Sequence, residues 1–306
     1  RHQFPALGKP DILEYLKNNP EAPDLVKEVI AGRLALSKTS TKKYIAMLNC
    51  AAKDQRAHGL FQFYGANRTG RWSSRMIQLQ NLPQNHMKDL DLARSMVEKG
   101  DYDLADMCYG NIPDVLSELI RTAFIAPEGK MFAVADFSAI EARVLSWLAQ
   151  EKWRLDVFNT HGKIYEASAS LMFGVPIEQV TKGSDLRQRG KTAELALGYE
   201  GSVNAMEKMD KEKKLSKKEM YSIVALWRRA NPKIVEFWAE VNEKAIECVQ
   251  TRKTKKVSCL VFEHDGTNLT IALPAGRKLY YRNPRVRPNR FGQIGIVYDG
   301  MVQSVG

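Results

Sequence analysis

Between residues 163 and 250 the sequence is patterned for helices, and from Val257 to Val297 it changes to short runs of strand formers. Turn signals at Asp265-Gly266 and Pro274-Ala275-Gly276 divide those runs. Ahead of both stretches lies Met131-Phe132-Ala133-Val134-Ala135-Asp136-Phe137, a nearly continuous apolar run of the kind that marks a strand buried on both faces. The order of helices, strand, helices and strands predicts an α+β fold with a mostly helical insertion. A chain of 306 residues that is 44% hydrophobic can bury the core of one large domain or two intimate ones.

Local signals place further elements. Residues 10–36 read as helical, with starts at Pro10-Asp11 and Pro23-Asp24. A polar break at Ser37-Lys38-Thr39-Ser40-Thr41 precedes a helix over Lys42 to Lys53, and Leu60 to Tyr64 reads as a strand ending at Gly65. Residues 65–88 are irregular and dense in Arg, Gln and Asn. A helical hairpin is expected over 88–108, and Pro113 opens a helix ending near Phe124. Ser138 is placed to cap a helix from Ala139 to Gln150, with Glu141 three residues on completing a capping box; Ser216 and Glu219 form a second such pair. The charged stretch from Glu207 to Glu219 reads first as a solvated connection and second as a nucleic-acid contact.

The chain holds 46 Lys and Arg against 35 Asp and Glu, a net charge of +11. An excess of this size favours a polyanionic partner, nucleic acid first and an anionic membrane second. No apolar run approaches the roughly 20 residues that span a bilayer, and there is no charged-then-apolar leader. Cys50, Cys108, Cys248 and Cys259 make no C-x-x-C pair, so neither a zinc site nor a disulfide framework is indicated, and a reducing, cytoplasmic setting is expected. The first residue is Arg rather than Met, as in a fragment or a processed chain.

Two patterns carry chemistry. Asp136 falls where the apolar run ends, so a stiff element would hold a carboxylate at the edge of a cleft. Mg²⁺ takes a few such oxygens and keeps waters and substrate phosphates as its other ligands. Capping of the next helix is the ordinary alternative for a lone Asp there. The second pattern is Arg187, Lys191, Leu195 and Tyr199, which recur every four residues and so form one slanting stripe on a helix. Two cations, an apolar side chain and a phenol in a row suit a nucleoside triphosphate; an amphipathic surface helix suits them too. Gly190-Lys191-Thr192 is no phosphate-binding P-loop, because Asp185 stands where that loop needs Gly and no strand precedes it.

These residues carry a resemblance. Asp136-Phe137-Ser138-Ala139-Ile140-Glu141-Ala142-Arg143 closely resembles the first palm motif of family A (DNA polymerase I-like) DNA polymerases, and Arg187 through Tyr199 is similar to the second motif, on the fingers. The resemblance implies that Asp136 and the Phe137 carbonyl bind catalytic Mg²⁺, two ions in the complete site, and that Glu141 packs under the incoming sugar. It implies that Arg187 and Lys191 grip the dNTP triphosphate, with Lys191 protonating the leaving pyrophosphate, and that Tyr199 guards the insertion site. Leu195 stands where the family usually has an aromatic residue. Tyr165 stands where a phosphate-binding His is common, and a Tyr donates one hydrogen bond but brings no positive charge. Thr69-Gly70-Arg71-Trp72-Ser73-Ser74, followed by Gln78-Leu79-Gln80-Asn81-Leu82-Pro83, resembles the segment that lines the primer–template minor groove. Arg71, Gln80 and Asn81 are the matching positions, and Arg121 matches a further Arg of the family core. Arg, Gln and Asn suit acceptors common to all base pairs in that groove.

The resemblance covers residues 41–285 and implies a right-hand polymerase architecture: a partial palm sheet with a mostly helical fingers subdomain. It places a thumb remnant or connection at 1–40, the first part of the palm at 41–150, fingers at 151–250 and a β-rich hairpin, as in phage-type members, at 251–306. The family's late His-Asp motif, which supplies the second metal carboxylate, is not found. His264-Asp265-Gly266 falls at a hairpin turn and precedes Gly276-Arg277-Lys278-Leu279-Tyr280, which resembles a segment upstream of that motif. The expected activity is therefore template-directed DNA synthesis by an incomplete polymerase domain. The alternatives are a non-catalytic DNA- and nucleotide-binding fragment, or one chain of a split polymerase. The expected setting is the cytoplasm of a bacterial host cell, with a phage gene as one source.

Overall fold

The computed structural model describes residues 8–36, 40–66, 69–210, 215–288 and 292–300. The chain divides into two compact units, Arg1–Val134 and Ala135–Gly306.

In the first unit, α1 (Lys9–Asn18) and α2 (Asp24–Leu36) start where the Pro-Asp pairs foretell, followed by α3 (Lys42–Cys50). Of the polar break, residues 37–39 lie outside the described residues. Strands β1 (Phe61–Ala66) and β2 (Arg71–Ser74) pair antiparallel. Gly65 is obligatory there, since a Cβ on it would stand 1.8 Å from the Ser73 hydroxyl oxygen. A 3₁₀ turn at Leu79–Asn81 leads to the expected helical hairpin, α4 (Leu90–Lys99) and α5 (Tyr102–Tyr109). Next come α6 (Ile112–Leu119), which has Pro113 in its first turn, and a 3₁₀ turn at Ile120–Ala123. Ile77, Leu82 and Ile120 form one core cluster, flanked by Tyr44, Met47 and Phe124; Ala93, Val115 and Leu119 form another.

The second unit opens with α7 (Ile140–Ala149), α8 (Lys152–Thr160), α9 (Ile164–Phe173), α10 (Asp185–Leu197) and α11 (Val203–Met209). It continues through α12 (Lys217–Ala230) and α13 (Pro232–Thr251). Ser216 and Glu219 make the reciprocal capping box at the start of α12. The core gathers Ala193 and Leu197 of α10 with Met206, Ile223, Trp227 and Ile234. Strands β3 (Lys255–Val257), β4 (Leu260–His264), β5 (Asn268–Ala272), β6 (Lys278–Pro288) and β7 (Ile294–Asp299) then form an antiparallel meander in sequence order. One face of this sheet, with Leu260, Phe262 and Leu269, packs on Ala245 and Cys248 of α13.

Three expectations need correction. Residues 131–137 are neither a strand nor buried: Met131 is 88% and Val134 94% exposed. Apolar patterning states what a segment would bury but not with what, and no strand among the described residues pairs with this one. Ser138 does not cap α7. Ala139 takes the N-cap position in the left-handed region (φ 50°), so the Ser138–Glu141 capping box does not form. Helix α8 was not foreseen, and α11 runs into the charged stretch as far as Met209, with residues 211–214 outside the described residues.

Candidate functional site

Helices α9 and α10 cross at Gly190, where a Cβ would lie 2.4 Å from the Tyr165 carbonyl oxygen and 3.0 Å from the Ala169 Cβ. A glycine in a helix interior costs about 1 kcal/mol in propensity, and here it lets two backbones touch. The close approach sets Tyr165 and Glu166 of α9 against Arg187 of α10. Arg187 Nε donates to Glu166 Oε1 at 2.6 Å, and its guanidinium lies 5.7 Å from the Tyr165 ring centroid. The Tyr165 hydroxyl is pushed above its ordinary pKa, first by burial and then by the Glu194 carboxylate; Glu141 and Glu166 add to this and Arg187 opposes it. The structure brings Tyr165, Glu166 and Arg187 into contact, and Glu141 of α7 adds its charge to the field at Tyr165.

Lys191 follows one turn after Arg187 and is half-buried; Leu195 follows it, 44% exposed. Tyr199 is not on the helix. Helix α10 ends at Leu197, Gly198 caps it, and Tyr199 is 71% exposed just beyond. The stripe is therefore three helical residues and a flanking aromatic. Glu166 offers a local partner for Arg187. Burial is the largest influence on its carboxyl and opposes ionisation, but the Arg187 hydrogen bond and charge, its own backbone N–H and Lys163 together hold it below its usual value.

Asp136 and Phe137 lie in the irregular segment before α7, both exposed. Arg143 steadies the end of that segment: its Nε donates to the Ser138 carbonyl at 2.9 Å and its guanidinium lies 4.4 Å from the Phe158 ring centroid. Among the described residues no group of three His, Cys, Asp or Glu is placed to hold a metal ion. Asp265 is committed to its turn, accepting from the backbone N–H groups of Thr267 (2.9 Å) and Asn268 (2.6 Å).

In the first unit, Arg71 is an exposed residue of β2, and Gln80 and Asn81 sit in the 3₁₀ turn. Asn81 donates to the Gln78 side chain at 3.1 Å. Arg121 donates from Nε to the Pro83 carbonyl (2.7 Å) and from Nη2 to that of Leu82 (3.1 Å), so it braces the loop that follows Gln80 and Asn81.

Sequence reasoning missed the polar network behind the stripe. Glu194 and Arg154 are 6% and 1% exposed and face each other at the centre of the second unit. Arg154 Nη1 donates to Glu194 Oε1 and Asn231 Oδ1, both at 2.9 Å, and Nε donates to Ser146 Oγ at 2.8 Å. Ser168 and the Trp227 indole N–H also donate to Glu194, each at 2.8 Å. The Glu194 carboxylate so joins α10 to α8, α9 and α12, and the Arg154 guanidinium adds α7 and the residue before α13. A signal was present: Glu194 interrupts Ala193-Glu194-Leu195-Ala196-Leu197, and a carboxylate on an apolar helix face needs a buried partner.

The second unit's helical body and meander and the first unit's small sheet make a fold of mixed helix and sheet. The solved POL domain of Pol1 from M. smegmatis, in complex with DNA primer-template and dNTP, matches with a TM-score of 0.57 and 20% identity. That match covers 90% of this chain and 38% of that one. The chain belongs to DNA polymerase family A, whose family model matches residues 8–265. It is 49% identical over 302 residues to a DNA polymerase of Bacillus phage SP02, covering 98% of this chain and 46% of the relative. It is 34% identical over 108 residues to DNA polymerase I of Pseudomonas aeruginosa, covering 35% of this chain and 12% of that one. The chain thus spans less than half the length of these relatives. No helix among the described residues is long and apolar enough to cross a membrane.

Proposed function

We propose that this chain provides the nucleotide-gripping part of a polymerase that adds deoxynucleotides to a primer 3′ hydroxyl under the direction of a template. The observation that carries the reading is the crossing of α9 and α10 at Gly190, which sets Tyr165 and Glu166 against Arg187, with Lys191 one turn further along α10. In this reading Arg187 exchanges Glu166 for the triphosphate, Lys191 binds the same phosphates and donates a proton to the leaving pyrophosphate, and Glu141 lies under the sugar. Leu195 and Tyr199 border the base, and Tyr165 adds a neutral donor. Arg71, Gln80 and Asn81 meet the primer–template, and Arg121 holds their loop in place.

Asp136 and the Phe137 carbonyl fit one part of a Mg²⁺ site, since such ions are held by one or two carboxylates and keep waters and phosphates as other ligands. The ions would stabilise charge on the primer oxygen and the leaving phosphate. The subdomain reading is a connection at 1–40, palm at 41–150, fingers at 151–250 and a β-rich hairpin at 251–306. The 49% identity to a phage polymerase supports a phage-encoded protein acting in the bacterial cytoplasm. In primer extension by the complete polymerase, Lys191→Ala and Asp136→Ala are each expected to lower the rate by about 10²–10⁴-fold. Normal extension by the Asp136→Ala protein would overturn the mechanism.

The other reading is a non-catalytic DNA- and nucleotide-binding fragment or one chain of a split polymerase. Residues 1–306 would then bind primer–template DNA without extending it, and a second chain carrying the remaining palm would restore extension.

A further inference from the structure

From Thr251 to Gly306 the sequence holds ten Lys and Arg against three Asp and Glu, so this stretch alone carries +7 of the chain's net +11. The sheet gathers much of that charge on one side. On β6, Lys278, Tyr280 and Arg282 alternate with the inward Leu279 and Tyr281. Alternation alone would turn Arg285 and Arg287 to the core side. A bulge prevents this. Arg282 pairs with Asp299 and Arg285 with Val297, so three steps on β6 oppose two on β7, with Asn283 at a φ of 47° inside the irregularity. The extra residue returns Arg285 and Arg287 to the side of Arg282. Lys256 joins the same face through the register Lys256–Val261–Ala272–Lys278.

The result is a face with Lys256, Lys278, Tyr280, Arg282, Arg285 and Arg287, extending about 30 Å along β6 at a strand's rise per residue. Its carboxylates are few: Glu263 pairs with Lys278 at 2.8 Å and Asp299 with Arg285 at 2.6 Å. Arg282 and Arg287 form no ion pair among the described residues. Tyr280 is 64% exposed amid these cations, beside a polar hollow of about 310 Å³ that Arg252, His264 and Lys278 border together with the carboxylates of Glu263 and Asp265. The opposite face is spent on α13.

We propose that this bulged, basic sheet face binds single-stranded DNA, with the arginines on successive phosphates and Tyr280 stacked on an unpaired base. The ring decides between strand types: a duplex hides its base faces, whereas single strands present them to aromatic platforms set in basic grooves. The proposal rests on the reading that the chain works on DNA, and it adds a contact for template ahead of the duplex.

Fluorescence anisotropy with a labelled oligothymidine and a blunt duplex tests it on the full chain. The double substitution Arg282→Glu, Arg287→Glu should weaken single-strand binding by well over tenfold and lower the slope of log affinity against log salt by about 1.4, two phosphate contacts' worth. Tyr280→Ala should cost about tenfold on the single strand with no change in slope. Both should leave blunt-duplex affinity and the far-ultraviolet dichroism unchanged, and Arg282→Lys, Arg287→Lys should keep the wild-type slope. Unchanged single-strand affinity in the Glu variant, or an equal loss on the blunt duplex, overturns the proposal. If the wild-type chain binds neither DNA, the polymerase reading fails with it.

Discussion

At the scale of the residue, Glu194 shows how a binding stripe acquires a fixed position. Arg187, Lys191 and Leu195 face outward from α10, and Glu194 lies on its inner side, receiving donors from α8, α9 and α12. A bidentate guanidinium–carboxylate pair is directional, so it fixes the rotation of α10 as well as its depth. Removing one member leaves a buried charge uncompensated. Glu194→Ala is accordingly expected to destabilise the chain by about 3–5 kcal/mol in urea unfolding. A loss below about 1 kcal/mol, the value of an ordinary exposed pair, would mean that the network is not a structural anchor. Asp136 makes the opposite case. It is exposed and held by no comparable set of partners among those described, so its role depends on family membership rather than on its surroundings here.

At the scale of the element, the β4–β5 turn is organised by Asp265. Its carboxyl is held well below the ordinary aspartate value, at about 2, chiefly by the Asn268 side chain and by the Asn268 and Thr267 backbone amides. A carboxyl depressed in the folded state stabilises it above the unfolded value near 3.8 and loses that contribution as pH falls towards about 2. Amide exchange at Thr267 and Asn268 should therefore accelerate over that acid window, while Asp265→Asn removes the pH response. Protection that stays flat from neutral pH to pH 2 in the wild-type chain would contradict the assignment. The same hydrogen bonds tie the Asp265 carboxylate to its own turn.

At the scale of the whole molecule, the two compact units meet in sequence within the exposed, irregular stretch that carries Met131, Phe132, Val134 and Phe137. An exposed segment without backbone pairing is open to proteases without unfolding of its neighbours. Brief chymotrypsin digestion of the chain is expected to cut first after Phe132 or Phe137 and release two fragments that each resist further cleavage. Initial cleavage inside α10 or the five-stranded sheet would show that the division into compact units is wrong.

The sequence by itself determined the class of fold, the starts of α1 and α2, the α12 capping box and two turns of the meander. Those features are local, set by Pro, Gly and capping side chains within a turn of their own backbone. It also marked Arg187, Lys191 and the family, because motif spacing survives whatever surrounds it. Tertiary structure alone decided what faces what. The apolar run at 131–137 looked buried, yet burial needs a partner that no local pattern supplies. Glu194 is one more charge in a helical stretch until donors from three other helices meet on its carboxylate. The side of the sheet on which Arg285 and Arg287 stand is set by the bulge opposite β7. In each case the deciding energy lies in contacts between residues far apart in the chain, which spacing along one strand or one helix cannot encode.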